Sequence, residues 1–356
     1  MPKDDLNPID ESLDILNSQL SSIQTPAYVL DERKFEENLL IISDIKKRTG
    51  CTILLALKAF ANPCCFPIIS KYLDGVSASS VNEARLGKEY FKKEVHVYSP
   101  AYKEAEIDEL QSMSSHIIFN SFSQWKRFKS KINLDQIKCG IRINPEYSEV
   151  KVTKYNPCSK NSRFGVLSEE FSGKDLEGIS GLHFHALCEQ GSDVLERVWQ
   201  RVEEKFGEYL HSLSWINFGG GHFITDDGYD TEKLVTLINH IQSKYNIEVI
   251  LEPGGSVALR SGYLVSSVLD IGENESNFAI LDTSATAHMP DVLEMPYIPN
   301  IIGAEEPNKY PHNYRLGGVT CLSGDVIGEY SFEKPLAIDD KLIFTDMAQY
   351  TIEYYI

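Results

Sequence analysis

Several polar positions in this sequence stand out because each ends a short apolar run. Lys58 closes the stretch ILLALK. A lysine buried at the end of a strand loses solvation, which lowers its pKa and makes the amine nucleophilic enough to link to a carbonyl. The competing reading is a rim lysine whose stem lies on apolar surface with its ammonium in water. His183 and His185 flank Phe184 and so share one face of a strand. Two histidines can ligate a metal, but no third carboxylate or cysteine stands at a supporting spacing, so no metal site is expected. One core histidine and one ligand-facing histidine, His185, is the better account. Asn217–His222 reads NFGGGH, and Gly219, Gly220 and Gly221 would let backbone N–H groups approach an anion closely. The run fits neither a GxGxxG nor a Walker pattern, and a tight turn needing positive φ is the plainer alternative. Glu252, followed by Pro253, Gly254 and Gly255, could keep a ring nitrogen protonated and turn that ring into an electron sink, or could be a solvated rim glutamate. Cys321 opens CLSGD; a lone cysteine is by default a small buried hydrophobe, and a catalytic role needs other support.

These positions need elements to hold them. Apolar, β-branched runs recur at Thr52–Leu57, Gly75–Ala78, Val95–Ser99, His116–Asn120, Cys139–Ile143, Gly181–His185, Trp215–Phe218 and Glu248–Leu251. Helical patterns lie between most of them, including Glu32–Arg48, Ser80–Phe91, Tyr102–Met113, Phe122–Lys131, Asp193–Leu213 and Thr231–Tyr245. Strand and helix alternating eight times predict an α/β fold built as a (β/α)8 TIM-type barrel, although a doubly wound sheet has the same local texture. In a barrel the chemistry sits where strands end. Those ends read Lys58, Ser79, Ser99, Asn120, Arg142, His185, Gly219–Gly221 and Glu252. From residue 256 the pattern changes to strand-like runs at Tyr263–Ile271, Phe278–Leu281, Tyr314–Thr320, Val326–Ser331 and Lys341–Thr345, separated by turn clusters, which predicts an antiparallel β domain. The expected organisation is a polar leader (1–24), a barrel (25–255) and the β domain (256–356), with 25–31 able to join the latter.

The bulk composition excludes several classes of protein. The 356 residues carry 34 basic and 52 acidic side chains, a formal charge of −18, which disfavours nucleic acid and anionic lipid as partners. Seven scattered cysteines without a CxxC pair point to reduced thiols and a cytoplasmic setting rather than structural zinc. The acidic start has no signal-peptide pattern, and no run approaches the roughly 20 apolar residues of a membrane helix.

In order along the chain, LALKAF, HFHALCE, NFGGGH, LEPGG, CLSGD and QYTI resemble the fold-type III pyridoxal-phosphate decarboxylases, the alanine racemase/ornithine decarboxylase-like group. Within it the sequence is most similar to the carboxynorspermidine/carboxyspermidine decarboxylase family, from about Thr25 to Ile352. The resemblance implies a carboxy-lyase of polyamine (spermidine) biosynthesis using pyridoxal 5'-phosphate. Lys58 would carry the cofactor, His185 stack on its ring and Glu252 pair with the pyridine nitrogen. Gly219, Gly220, Gly221, Gly254 and Gly255 would hold the phosphate, joined by Tyr350. It further implies a homodimer with shared sites, to which Cys321 and Asp325 come from the other subunit, Cys321 as proton donor. Glu189 and Asp291 are the acids expected near the cationic nitrogens of the substrate. Diaminopimelate is disfavoured, because Gly255, Met289 and Leu322 stand where its decarboxylases carry groups for a second amino-acid head. A decarboxylase of another amino acid or diamine conjugate, or an inactive cofactor-binding homologue, are the alternatives. Members of the family continue beyond the position of Ile356 with a stretch that helps close the site.

Overall fold

The computed structural model describes residues 11–174, 176–295 and 297–351. The chain falls into two compact units, one formed by the segment up to Phe35 with the segment from Arg260 onward, the other by Glu36–Leu259.

The first unit is a sheet. Its strands are β1 (Ala27–Leu30) and, from the end of the chain, a set whose numbering follows the eight barrel strands below. Those eight are β2 (Thr52–Ala56), β3 (Gly75–Ala78), β4 (Glu94–Tyr98), β5 (His116–Phe119), β6 (Lys138–Arg142), β7 (Ile179–His183), β8 (Trp215–Asn217) and β9 (Glu248–Leu251). They pair in parallel in sequence order, and β2 pairs with β9, so the sheet closes into the predicted barrel. Each expected strand lies within two residues of an observed one. Helices such as Glu32–Thr49, Ser192–Leu210 and Thr231–Tyr245 fill the connections, the last capped by Asp230, whose carboxylate accepts from the Lys233 N–H.

Trp215 is fully buried in the barrel with Leu54, Ile118 and Ile250, and its indole N–H donates to Ser180 at 3.0 Å. Its bulk is admitted by two absent side chains, since a Cβ on Gly181 or Gly140 would overlap the indole. This layer separates a polar floor, where strands begin, from a polar mouth, where they end.

In the sheet unit the long strand β10 (Gly262–Asn274) pairs antiparallel with β1 through its first four residues, Gly262–Val265, so the segment before the barrel adds a strand here. The remaining strands are β11 (Ser276–Leu281), β12 (Ala304–Glu305), β13 (His312–Gly317), β14 (Val326–Phe332) and β15 (Lys341–Thr345). The sheet is mostly antiparallel, but β11 and β13 run parallel, and β12 is too short to have left a pattern in the sequence. Within the expected polar leader Glu11–Gln19 is helical, and Leu16 is buried with Tyr263, Val265 and Ile343. Residues 1–10 of that leader, and Ile352 of QYTI, lie outside the described residues. No helix among the described residues is long and apolar enough to cross a membrane.

Candidate active site

Lys58 sits two residues past the end of β2, in the turn that follows Ala56. Its side chain faces the open mouth and is solvent-accessible, yet protein surrounds it closely. Burial lowers its pKa; Glu252 opposes this and Arg142 adds to it. The crowding outweighs the accessibility, because the ammonium has no hydrogen bond or ion pair among the described residues to replace lost water. The result is an amine shifted toward its nucleophilic form.

Glu252 follows β9 and is buried. Burial pushes its carboxyl up, but His183, the Asn217 amide and Lys58 outweigh that and hold it at about 2. The Asn217 amide donates to Glu252 Oε1 at 2.7 Å, while His183 Nε2 stands 3.7 Å from Oε2, near but beyond hydrogen-bond length. Burial also lowers the pKa of His183. The carboxylate is therefore ionised, with Asn217 supplying the direct bond.

His185 follows β7. Burial, then Lys58 and Arg142, put its pKa well below the ordinary histidine value, so the ring is neutral. The Gly220 N–H donates to its Nδ1 at 2.9 Å, which assigns the ring proton to Nε2 and fixes the ring plane.

The glycine run is required by its surroundings. Gly219 and Gly221 have φ of +67° and +82°, and a Cβ on Gly220 would lie 2.5 Å from the Glu252 carbonyl oxygen. The expectation that all three amides serve a phosphate is narrowed. Gly219 N–H donates to Asn217 Oδ1 at 2.8 Å and Gly220 N–H to His185, which leaves Gly221, Gly254 and Gly255 as available donors.

Three residues of the mouth escaped the sequence reading. Arg142, noted only as a strand end, is buried, meets no carboxylate among the described residues, and stacks between Tyr98 (4.6 Å) and Phe164 (4.4 Å). Asn217 was read only as the start of a glycine motif. Glu83, raised by burial and lowered by its bond from the Ser79 N–H at 2.5 Å and by Lys58, is part of a Ser80-x-x-Glu83 helix start that was legible as a capping pattern.

The remaining expected site residues divide between the two units. Glu189, in the barrel unit, is exposed with φ of +52°. Cys321, Asp291 and Tyr350 are in the sheet unit; Cys321 is exposed and the other two half-buried. Asp325 is corrected as a substrate ligand. It is buried, and its oxygens accept from Ser284 Oγ (3.0 Å), Ala285 N–H (2.8 Å) and Thr320 Oγ1 (2.7 Å), so its charge is consumed in anchoring its own turn. Met289 is fully buried in the sheet core and so offers a substrate nothing.

A nucleophilic amine, a buried anion and a guanidinium that meets no carboxylate among the described residues converge on one mouth. That donor set fits a flat cationic ring bearing an aldehyde and acidic oxygens. Residues 27–348 match the family of pyridoxal-dependent decarboxylases with a C-terminal sheet domain. The chain belongs to this family. It is 46% identical to a carboxynorspermidine/carboxyspermidine decarboxylase of Campylobacter jejuni, over 93% of this chain and 89% of that protein. It is 44% identical to a carboxyaminopropylagmatine decarboxylase of Synechocystis, over 94% and 87%. The crystal structure of the Campylobacter jejuni carboxynorspermidine decarboxylase with norspermidine superposes with a TM-score of 0.86 at 45% identity, covering 93% of this chain and 90% of that one. The protein is thus a pyridoxal-phosphate-dependent carboxy-lyase. When bound, the cofactor supplies the electron sink for decarboxylation. Lys58 would hold it covalently, with Glu252 at its ring nitrogen and the neutral His185 against its face.

Proposed function

We propose that this decarboxylase acts on carboxynorspermidine and carboxyspermidine, releasing carbon dioxide and leaving norspermidine or spermidine. The observation that carries the reading is the 45% identity, over nearly the whole chain, to an enzyme whose structure holds norspermidine. In this reading Glu252 keeps the ring nitrogen protonated, and Gly221, Gly254 and Gly255 hold the phosphate with Tyr350. Cys321 of the partner subunit in a homodimer returns the proton, and Glu189 and Asp291 face cationic nitrogens. A cytoplasmic setting belongs to the same proposal and is supported by seven cysteines, none of them in a disulfide among the described residues.

A second reading has its own support. The 44% identity to a carboxyaminopropylagmatine decarboxylase points to a guanidinium-bearing substrate of the same shape. Carbon dioxide release measured with all three substrates separates the two. The first predicts the highest kcat/KM on a carboxylated triamine, and a preference of about tenfold or more for the guanidinium substrate replaces it with the second. No turnover of any of them overturns both.

A further inference from the structure

The floor of the barrel holds a polar cluster that the decarboxylase chemistry does not use. Glu94 opens β4, His96 follows two residues later on the same face, and His116 opens β5, directly paired with His96 in the parallel register. One ligating atom from each of the three lies within 4.8 Å of the other two. The imidazoles are 1% and 3% exposed, while the Glu94 side chain is 53% exposed and links the cluster to solvent. His96 Nε2 is 3.0 Å from Glu94 Oε2, and His116 Nδ1 is 3.0 Å from Ser115 Oγ. The second nitrogen of each ring, His96 Nδ1 and His116 Nε2, is buried without a hydrogen-bond partner. Orphaned ring nitrogens side by side are costly to a fold unless a ligand uses the site.

Two imidazoles and a carboxylate form a donor set suited to zinc-like ions, with water completing the coordination. We propose that Glu94, His96 and His116 bind a divalent transition-metal ion at the barrel floor, remote from the catalytic mouth. The rings now stack with centroids 3.7 Å apart and planes at 27°, so their lone pairs do not converge. Binding turns one ring about its Cβ–Cγ bond and breaks the Ser115 contact. Trp215, edge-on to His116 at 5.4 Å, bounds that turn, and Lys138, its register partner on β6, opposes the ion. The set has no linear motif, because His116 joins through strand register.

The test uses the holoenzyme after dialysis against a chelator, titrated with cobalt(II) chloride and then zinc chloride. One cobalt per chain is expected, with visible ligand-field bands, no thiolate charge-transfer band, and displacement by zinc. Glu94→Gln, at a half-exposed position, should weaken binding at least about tenfold and leave decarboxylation unchanged, and His96→Asn should abolish binding. A Cys64→Ser/Cys321→Ser variant should bind as the parent does. The proposal is overturned by no stoichiometric uptake, by unchanged affinity in Glu94→Gln, or by loss of binding in the cysteine variant.

Discussion

Glu252 illustrates how a residue can be charged against its surroundings. An unfolded glutamate titrates near about 4.3, whereas here the carboxyl is held at about 2. Since the folded value is the lower, this carboxylate stabilises the fold above the unfolded pKa, and the contribution is lost as pH falls through about 2. Glu252→Gln removes the charge but keeps the oxygen that accepts from Asn217. Turnover should fall about a hundredfold or more, while cofactor retention changes little; wild-type turnover in this variant would make Glu252 a structural residue only. Lys58 carries the opposite shift. Because burial lowers its pKa, uptake of pyridoxal phosphate by apoenzyme should rise with pH along a titration centred below that of free lysine, about 10.4. Stopped-flow absorbance measures this, and an inflection at or above the free value would contradict the crowding argument. Lys58→Ala should lose both the yellow colour and borohydride trapping of the cofactor.

At the scale of elements, the eight barrel strands were legible because each is a short apolar run ended by a polar or glycine residue, and the positions of Lys58, His185 and Glu252 at strand ends were legible with them. The role of Arg142 was not, because Tyr98 and Phe164, remote from it in the sequence, define it, and Glu83 shows locally only as a capping residue, its proximity to Lys58 coming from the fold. Asp325 misled for the reverse reason. Its acid stands in a turn whose donors, Ser284 and Ala285, come from a segment some forty residues away in the sequence. The parallel pairing of β11 and β13 likewise has no local signature. The pairing of Trp215 with two glycines makes a testable case of such non-local fit. Gly181→Ala forces a methyl into the indole and should destabilise the fold by roughly 1–3 kcal/mol, read as a lower Tm. Trp215→Phe should be destabilising alone yet recover part of the loss in the double variant. Strictly additive effects would mean the backbone, not the indole, sets the demand for glycine.

At the scale of the whole molecule, the proposed function divides the reaction between two units of the chain. Lys58 and Glu252 belong to the barrel, and Cys321, exposed in the sheet unit, is the proposed proton donor. If the sites of a homodimer are shared, each barrel receives its donor from the other subunit, and a monomer lacks one. Lys58→Ala and Cys321→Ala homodimers should each then be nearly inactive, because every site misses one group. Mixing them and allowing subunits to exchange changes the arithmetic. In the heterodimer one site combines an intact Lys58 with an intact Cys321, while the other has neither. Random exchange of equal amounts yields about half heterodimers, each with one working site of two, so activity should recover to about a quarter of the parent's. Recovery should track exchange measured by native mass spectrometry and vanish when each parent is crosslinked beforehand. Verified heterodimers without recovered activity would place Lys58 and Cys321 of one chain in the same site, and full activity in a stable monomer would do the same.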